Sequence, residues 1–598
     1  MSTGHVRLAR ITLFLVTCLY ALQAAAAYSM AMGYTPKYPD DFEHFDYADP
    51  DALKGGDLVL EGYPTFDSLN PFLLKGVPAS DIGTLVFETL LESSLDEPFS
   101  VYGLLANDFY LADDKLSATY HIDPRARFSN GEPVLAKDVK FSFDTLTSKD
   151  AHPQFRIYFS DVDSVDVLDR LTVRFNFKRV NPELHLVIGG VPVFSEAWLG
   201  GGGFTETSDR EPISSGPYIV DEYQVGKLVR YRRNPDYWAR DLPVRKGLYN
   251  FDTITFKYYK DRVIALKAFQ AGEFDFFQEN TSKRWARDHE GGRYATGELL
   301  KDELPHSNNA GMQGIVFNTR RDKFRDVRVR RAISLAFDFA WSNRYLFYDQ
   351  YVQSDSYFTN SEMASRGIPE GDELALLEQY RDQLPESVFT QEWTPPDTTQ
   401  PGALRRNLLE ARDLLKDAGW TIQDGRLRNE AGEALDIHVM LVSPAFERIL
   451  APYAHNLKKL GIEMTYRVID SSLYIKRAET FEFDMMVAWL QGSQSPGNEL
   501  KAYYSSESAD TRGSRNLFGV KDPVVDALID KIISADDRRS MIIATRAMDR
   551  VLLHGEYLVP NWYTNVHRIA YRDIFGRPEQ LPLYYKVDTY MMKTWWMR

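Results

Sequence analysis

The stretch that decides the fold runs from Leu435 to Leu490, LDIHVMLVSPAFERILAPYAHNLKKLGIEMTYRVIDSSLYIKRAETFEFDMMVAWL. Leu435 to Val442 is an apolar run of strand length, and Ile449, Leu450, Tyr453, Leu457 and Leu460 then recur at helical spacing until Gly461 stops the helix. Ile462, Met464, Tyr466 and Val468 alternate at period two. Ser471 or Ser472 can cap a short helix to about Thr480, and Phe483 to Trp489 is a third apolar run. The order βαβαβ predicts a parallel sheet with right-handed crossovers and places ligands beyond the carboxyl ends of its strands. Topology therefore singles out two loops: Ser443 and Pro444 after the first strand, and Gln491 to Ser495 after the third.

A second α/β region is split in the sequence. Asp57 to Glu61 reads as an early strand, Ile254 to Tyr259 as a later one, Arg262 to Gln270 as a helix ended by Gly272, and Phe274 to Phe277 as a returning strand. Between the halves, residues 80 to 200 carry short strands such as Ser117 to Ile122 and Leu171 to Phe177, enough for an inserted α+β subdomain. Gly200 to Gly203 is the best linker-like run, and the polar, Pro-rich residues 353 to 402 read as a long surface excursion. No fixed-period repeat is present.

The 598 residues correspond to roughly four average domains by length alone, and 44% hydrophobic with 26% charged residues is ordinary globular usage. Residues 1 to 27 read as a secretory signal: Arg7 and Arg10, an apolar run from Ile11 to Leu22, then the small residues Ala24 to Ala27. Roughly 20 apolar residues are needed to span a membrane, and that run is too short. Cleavage before Tyr28 would remove the single cysteine, Cys18, and two arginines, leaving 68 basic against 85 acidic residues, a net charge of −17. That charge argues against nucleic acid as a partner. The aromatic content, 35 Phe, 34 Tyr and 10 Trp, is high at 13%.

The searched catalytic signatures are missing. HExxH, GxSxG, GxxxxGK[ST], GxGxxG and CxxC do not occur, and no two of the 11 histidines sit at metal-ligand spacing on an expected helix, so neither a metal nor a cofactor is implied. Glu61 and Asp67 form a carboxylate pair of the kind a glycan hydrolase needs, although so acidic a chain holds such pairs by chance. The cluster Arg320, Arg321, Arg325, Arg328, Arg330 and Arg331 suggests an anion site. On a helix starting near Asp326, however, Val329, Ile333, Phe337 and Ala340 form the buried stripe and most of the arginines fall on the solvated face.

Five blocks, in order, resemble the family 5 extracellular solute-binding proteins, the peptide-binding components of bacterial ABC importers. They are Leu104 to Asp144 with FSNGEPVLAKDV, Ser214 to Trp238 (SSGPYIVDEYQVGKLVRYRRNPDYW), Ala265 to Phe277, Ile315 to Phe337 (IVFNTRRDKFRDVRVRRAISLAF) and Glu410 to Trp420. Tyr357 to Pro369 (YFTNSEMASRGIP) is similar to the Yej-type subgroup, associated with oligopeptides, microcin C-like peptide-nucleotides and cell-wall peptides. The resemblance implies an α/β, two-lobed periplasmic binding protein of class II with an α+β subdomain inserted in lobe I and a hinge between lobes. Residues 28–80, 201–305 and 559–598 would form lobe I, 81–200 the insertion and 306–558 lobe II, with crossings near Leu304 to Gly314 and Tyr557 to Tyr563. It also implies a monomer in the periplasm that hands a peptide or peptide-like ligand to inner-membrane permease subunits without catalysis.

In many peptide binders of the family, a W-x-x-D-Y-x-x-P loop supplies an aspartate that pairs with the peptide's α-amine. Here the loop reads Trp489-Leu490-Gln491-Gly492-Ser493-Gln494-Ser495-Pro496, with Gly492 near the acid's place. Gln491, Ser493 and Gln494 become candidates to bond the ligand backbone, and Glu499 is the candidate for the missing charge. Trp489 is either a stacking wall or core. Arg515 and Asn516 are candidates for an anionic ligand end, and Tyr63, Asp67 and Asn70 line the loop after the early strand's carboxyl end. An exported glycan hydrolase, or the same scaffold carrying a non-peptide cargo, are the competing readings.

Overall fold

The computed structural model describes residues 27–63 and 65–598, so the expected signal segment lies outside the described residues apart from Ala27. Along the chain, β1 (Asp57–Gly62) leads into an antiparallel insertion of β2 (Ala106–Leu111), β3 (Ser117–Ile122), β4 (Val162–Val167) and β5 (Thr172–Phe177), followed by α1 (Leu184–Gly189). Strands β6 (Tyr218–Gln224), β7 (Leu228–Arg233) and β8 (Thr253–Tyr258), helix α2 (Arg262–Ala271), β9 (Phe276–Gln278) and β10 (Leu299–Pro305) follow. Next come β11 (Met312–Phe317), α3 (Val327–Leu335), α4 (Gly371–Glu378), β12 (Asp436–Leu441), α5 (Glu447–Lys458), β13 (Glu463–Val468), α6 (Ser471–Glu479) and β14 (Met485–Leu490). Then come α7 (Arg538–His554), β15 (Leu558–Pro560) and β16 (Val566–Arg572), ahead of a C-terminal helix, Val587–Thr594.

Two mixed sheets carry the architecture: seven strands in the order β6-β7-β8-β1-β9-β16-β10, and five in the order β13-β12-β14-β11-β15. The βαβαβ pattern of residues 435–490 forms as periodicity predicts. β12 pairs in parallel with both β13 and β14, and α5 lays Ile449, Leu450, Tyr453 and Leu457 against the sheet. Each such burial contributes about 1.5–3 kcal/mol. Gly461, at φ 79, ends that helix in the left-handed region. The cap of α6 is Asp470 rather than either serine: its carboxylate accepts from the N–H groups of Ser472 and Leu473. Asp261 caps α2 in the same way, and Gly272, at φ 87, closes it.

Pairing directions fix how the sheets face each other. β10 and β16 are antiparallel, as are β16 and β9, and β9 runs parallel to β1, so β10 ends at the carboxyl edge of β1. β11 is antiparallel to β14 and to β15, so residues 306–311 enter the second sheet at the carboxyl edge of β14, and β15 leaves from that edge. Both crossings thus join carboxyl edge to carboxyl edge. The second crossing is 561–565, so a division at 558/559 falls inside β15.

Two sequence expectations change. Residues 353–402 are a docked flap rather than a surface excursion: Tyr357, Phe358, Met363, Leu377, Val388 and Phe389 are buried. The flap is clamped onto α7, where the Asp549 carboxylate accepts from the Ser356 and Ser365 hydroxyls and from the Tyr357 and Ser365 N–H groups. Arg550 donates to Glu373 and to the carbonyls of Gly367 and Arg366. Arg330 is not on the solvated face of α3; it is buried and donates to the carbonyls of Phe324, Arg325, Gly555 and Glu556.

Candidate functional site between two carboxyl edges

The loop after β14 lies where the topology places a ligand site. Trp489 is 60% exposed, its indole N–H donating to the Ala310 carbonyl at 3.0 Å. The ring is therefore a pinned surface wall and not core. Gln491 is exposed beside it. Across the crossings, Tyr63 follows the end of β1 and is 52% exposed. Lobe contact closes one side: the Tyr351 hydroxyl and the Gln350 amide donate to the carbonyls of Asn280 and Ser282, just beyond β9. An aromatic group sits at the carboxyl edge of the second sheet, with Trp562 4.4 Å from Phe347, 6.0 Å from Phe446 and 6.1 Å from Tyr351.

Several sequence candidates prove to be internal braces. The Ser493 hydroxyl donates to the Ser495 carbonyl and accepts from its N–H, closing a local turn. The Gln494 amide donates to the Ser307 carbonyl at 2.9 Å, tying the loop to the first crossing. Asn70 is 1% exposed, accepting from the Phe72 N–H and donating to the Thr207 hydroxyl. Asn516, at 0% exposure, bonds the backbone of Ser505, Gly519 and Val520. Its segment lies at the amino edge of the second sheet, since Gly513 bonds the end of α6 and Phe518 meets Thr319. Arg515 is exposed there, on the far side from the crossings.

The carboxylates separate too. Glu61 is paired with Arg262 at 2.6 Å, and burial pushes its carboxyl up while Arg262 pulls it down. Asp67 instead accepts from the Val77 N–H and lines a separate cavity of about 520 Å³ with Lys75 and Lys149. The two carboxylates thus have different partners. Glu499 accepts from the Gly497 N–H at the mouth of the loop.

The residue that sequence reasoning missed is Asn309. It stands in the first crossing, accepts from the Gly311 N–H at 2.9 Å and donates to the Ser493 carbonyl at 2.7 Å. A Cβ on Gly492 would lie 2.0 Å from its Oδ1 and 2.3 Å from its Cγ. The space beside Gly492 is therefore filled from another segment. The only sequence signal was the polar run Ser307-Asn308-Asn309 ahead of a strand.

Among the described residues no helix is long and apolar enough to cross a membrane. Residues 100–511 match the model of the bacterial extracellular solute-binding proteins, family 5. The chain is 39% identical to a probable peptide-binding protein, YejA, of Agrobacterium fabrum, covering 92% of this chain and 91% of that protein. It is 33% identical to the peptidoglycan-binding protein YepA of the same organism, covering 96% and 95%. In fold it superposes on the oligopeptide-binding protein AppA of Bacillus subtilis, solved with a nonapeptide, at a TM-score of 0.62 and 20% identity over 92% of this chain and all of that one. Two lobes joined edge to edge, a surface-exposed aromatic loop between them and these likenesses together place the chain in family 5 of the bacterial extracellular solute-binding proteins.

Proposed function

We propose that this protein is exported to the periplasm, captures oligopeptides or peptide-like cell-wall fragments between its two carboxyl edges, and passes them as a monomer to the permease of an ABC importer. The observation that carries this reading is the pairing of the crossings with the loop after β14: two connections frame a face where Trp489, Gln491 and Tyr63 stand exposed and uncommitted to the core. Such a face binds by closing on its ligand and needs contacts rather than chemistry. The names of the Agrobacterium relatives, one for peptide and one for peptidoglycan, support the cargo class.

Cargo recognition here differs from an ammonium clamp. With Asn309 filling the space at Gly492, the ligand backbone meets Gln491 and the indole face of Trp489, a neutral edge that suits peptides by hydrogen bonding and apolar contact. Native mass spectrometry of freshly purified protein identifies retained cargo. Calorimetry with oligopeptides and with a murein tripeptide then compares the parent with a Trp489→Ala, Gln491→Ala double variant. Affinity for such peptides that drops at least tenfold in the variant supports the assignment; identical affinity would remove it.

A further inference from the structure

The seam between the insertion and the second lobe holds a contact that the cargo reading does not use. Glu183 stands just before α1, and its Oε1 accepts from the Ser495 hydroxyl of the loop after β14 at 2.5 Å. Its other oxygen and one of Glu499 both border Gly497: a Cβ there would lie 3.6 Å from Glu183 Oε2 and 3.5 Å from Glu499 Oε2. Among the described residues neither carboxylate has a lysine or arginine partner. The nearby cations are committed elsewhere: Arg538 donates to the Gln494 carbonyl and to Glu362, and Lys115 pairs with Asp536 across the same seam. His185, two residues on, is buried, and burial holds its imidazole down at about 4, so it is neutral. The thioethers of Met32 and Met541 pack on Ser495 at 3.3 and 3.8 Å, giving the contact an apolar jacket.

We propose that closing the two lobes takes up a proton at Glu183, so that the protein closes more readily in acid than at neutral pH. Opening separates Ser495 and Glu499 from Glu183 and returns that carboxyl to water and its ordinary range. Closing buries it, and this burial, reinforced by the Glu499 charge and opposed by the Ser495 hydrogen bond, pushes it up to about 7. Protonating Glu183 removes its repulsion with the Glu499 carboxylate. Because a proton then binds the closed form better than the open one, closure is favoured below the raised value and the advantage is lost as pH rises through about 7. The closing constant gains about tenfold between pH 8 and pH 6.

The inference rests on lobe closure but not on cargo identity, and it is tested without cargo. A full-length Cys18→Ser chain labelled through Asp113→Cys in the insertion and Asp530→Cys in the second lobe reports closure by resonance energy transfer. The closed fraction is expected to rise from pH 8 to pH 5, and the same chain with Glu183→Gln is expected to respond at least fivefold less. A parent that does not respond to pH, or a Glu183→Gln chain that responds as the parent does, overturns the proposal. Should that variant fail to fold by circular dichroism, Glu499→Gln decides: a midpoint shifted to lower pH supports the linkage, and an unmoved midpoint refutes it. Failure here leaves the calorimetric test of cargo binding unaffected.

Discussion

Replacing Gly492 with aspartate, the acid that the family resemblance implies for this loop, is expected to damage this protein unless Asn309 is removed with it. The new Cβ would lie 2.0 Å from Asn309 Oδ1, 2.3 Å from its Cγ and 2.8 Å from the Gly311 N–H nitrogen, all well inside contact distance. Relief requires Asn309 to swing away, which breaks its bonds to the Gly311 N–H and the Ser493 carbonyl. Overpacking costs about 1–3 kcal/mol and each lost hydrogen bond about 1 kcal/mol, so Gly492→Asp should destabilise by about 3 kcal/mol. Asn309→Ala alone forfeits only the two bonds and should cost about 2 kcal/mol. In the double variant the clash with the Asn309 side chain is gone and only the Gly311 contact remains, so its cost should fall at least 1 kcal/mol short of the sum, a coupling that marks direct contact. Urea titrations of the four proteins, followed by tryptophan fluorescence, measure the cycle. The double variant should in addition gain affinity for peptides with a free amino terminus over their N-acetylated forms. Additive stability changes, or a Gly492→Asp protein as stable as the parent, would refute the claim that Asn309 fills the place of the acid.

Other substitutions separate binding from bracing. Gln491→Ala should weaken cargo about tenfold with unchanged stability, whereas Gln494→Ala should cost about 1 kcal/mol of stability by freeing the loop from Ser307, as seen by calorimetry and urea titration side by side. Asn70→Ala, which strands the Phe72 N–H and removes the amide that donates to the Thr207 hydroxyl, should destabilise by about 2 kcal/mol and leave affinity intact; Tyr63→Ala should do the reverse. Asp549→Asn presents an amide donor to a carboxylate place surrounded by backbone N–H groups and hydroxyls. It should destabilise by at least about 2 kcal/mol and make residues 353–402 the first site of limited proteolysis; cleavage unchanged from the parent would count against the clamp.

The backbone framework was legible because it is written in local periods. The alternation of Ile462, Met464, Tyr466 and Val468 and the helical stripe from Ile449 to Leu460 depend on neighbours two to four residues away, and β13 and α5 formed within a residue or two of expectation. The candidate site was legible only in place. Topology pointed to the loop after β14, and Trp489, Gln491 and Tyr63 are exposed around it. Which polar side chains face outward was not: Asn70 reaches the Thr207 hydroxyl and Gln494 the Ser307 carbonyl, groups that only folding brings near, while Ser493 and Asn516 turn onto backbone groups a few residues away.

By itself, then, the sequence determined the strand and helix order, the split sheet and the resemblance to a solute-binding family, since each follows from short-range spacing or from contiguous motifs. The tertiary structure alone decided that the two carboxyl edges face each other across paired crossings, that Asn309 occupies the space beside Gly492, and that Glu183 meets Ser495 from 312 residues away. These are pairings of polar groups distant in the chain. Their partners are chosen by the obligation to satisfy every buried donor and acceptor once the sheets have packed, and no local pattern encodes that choice.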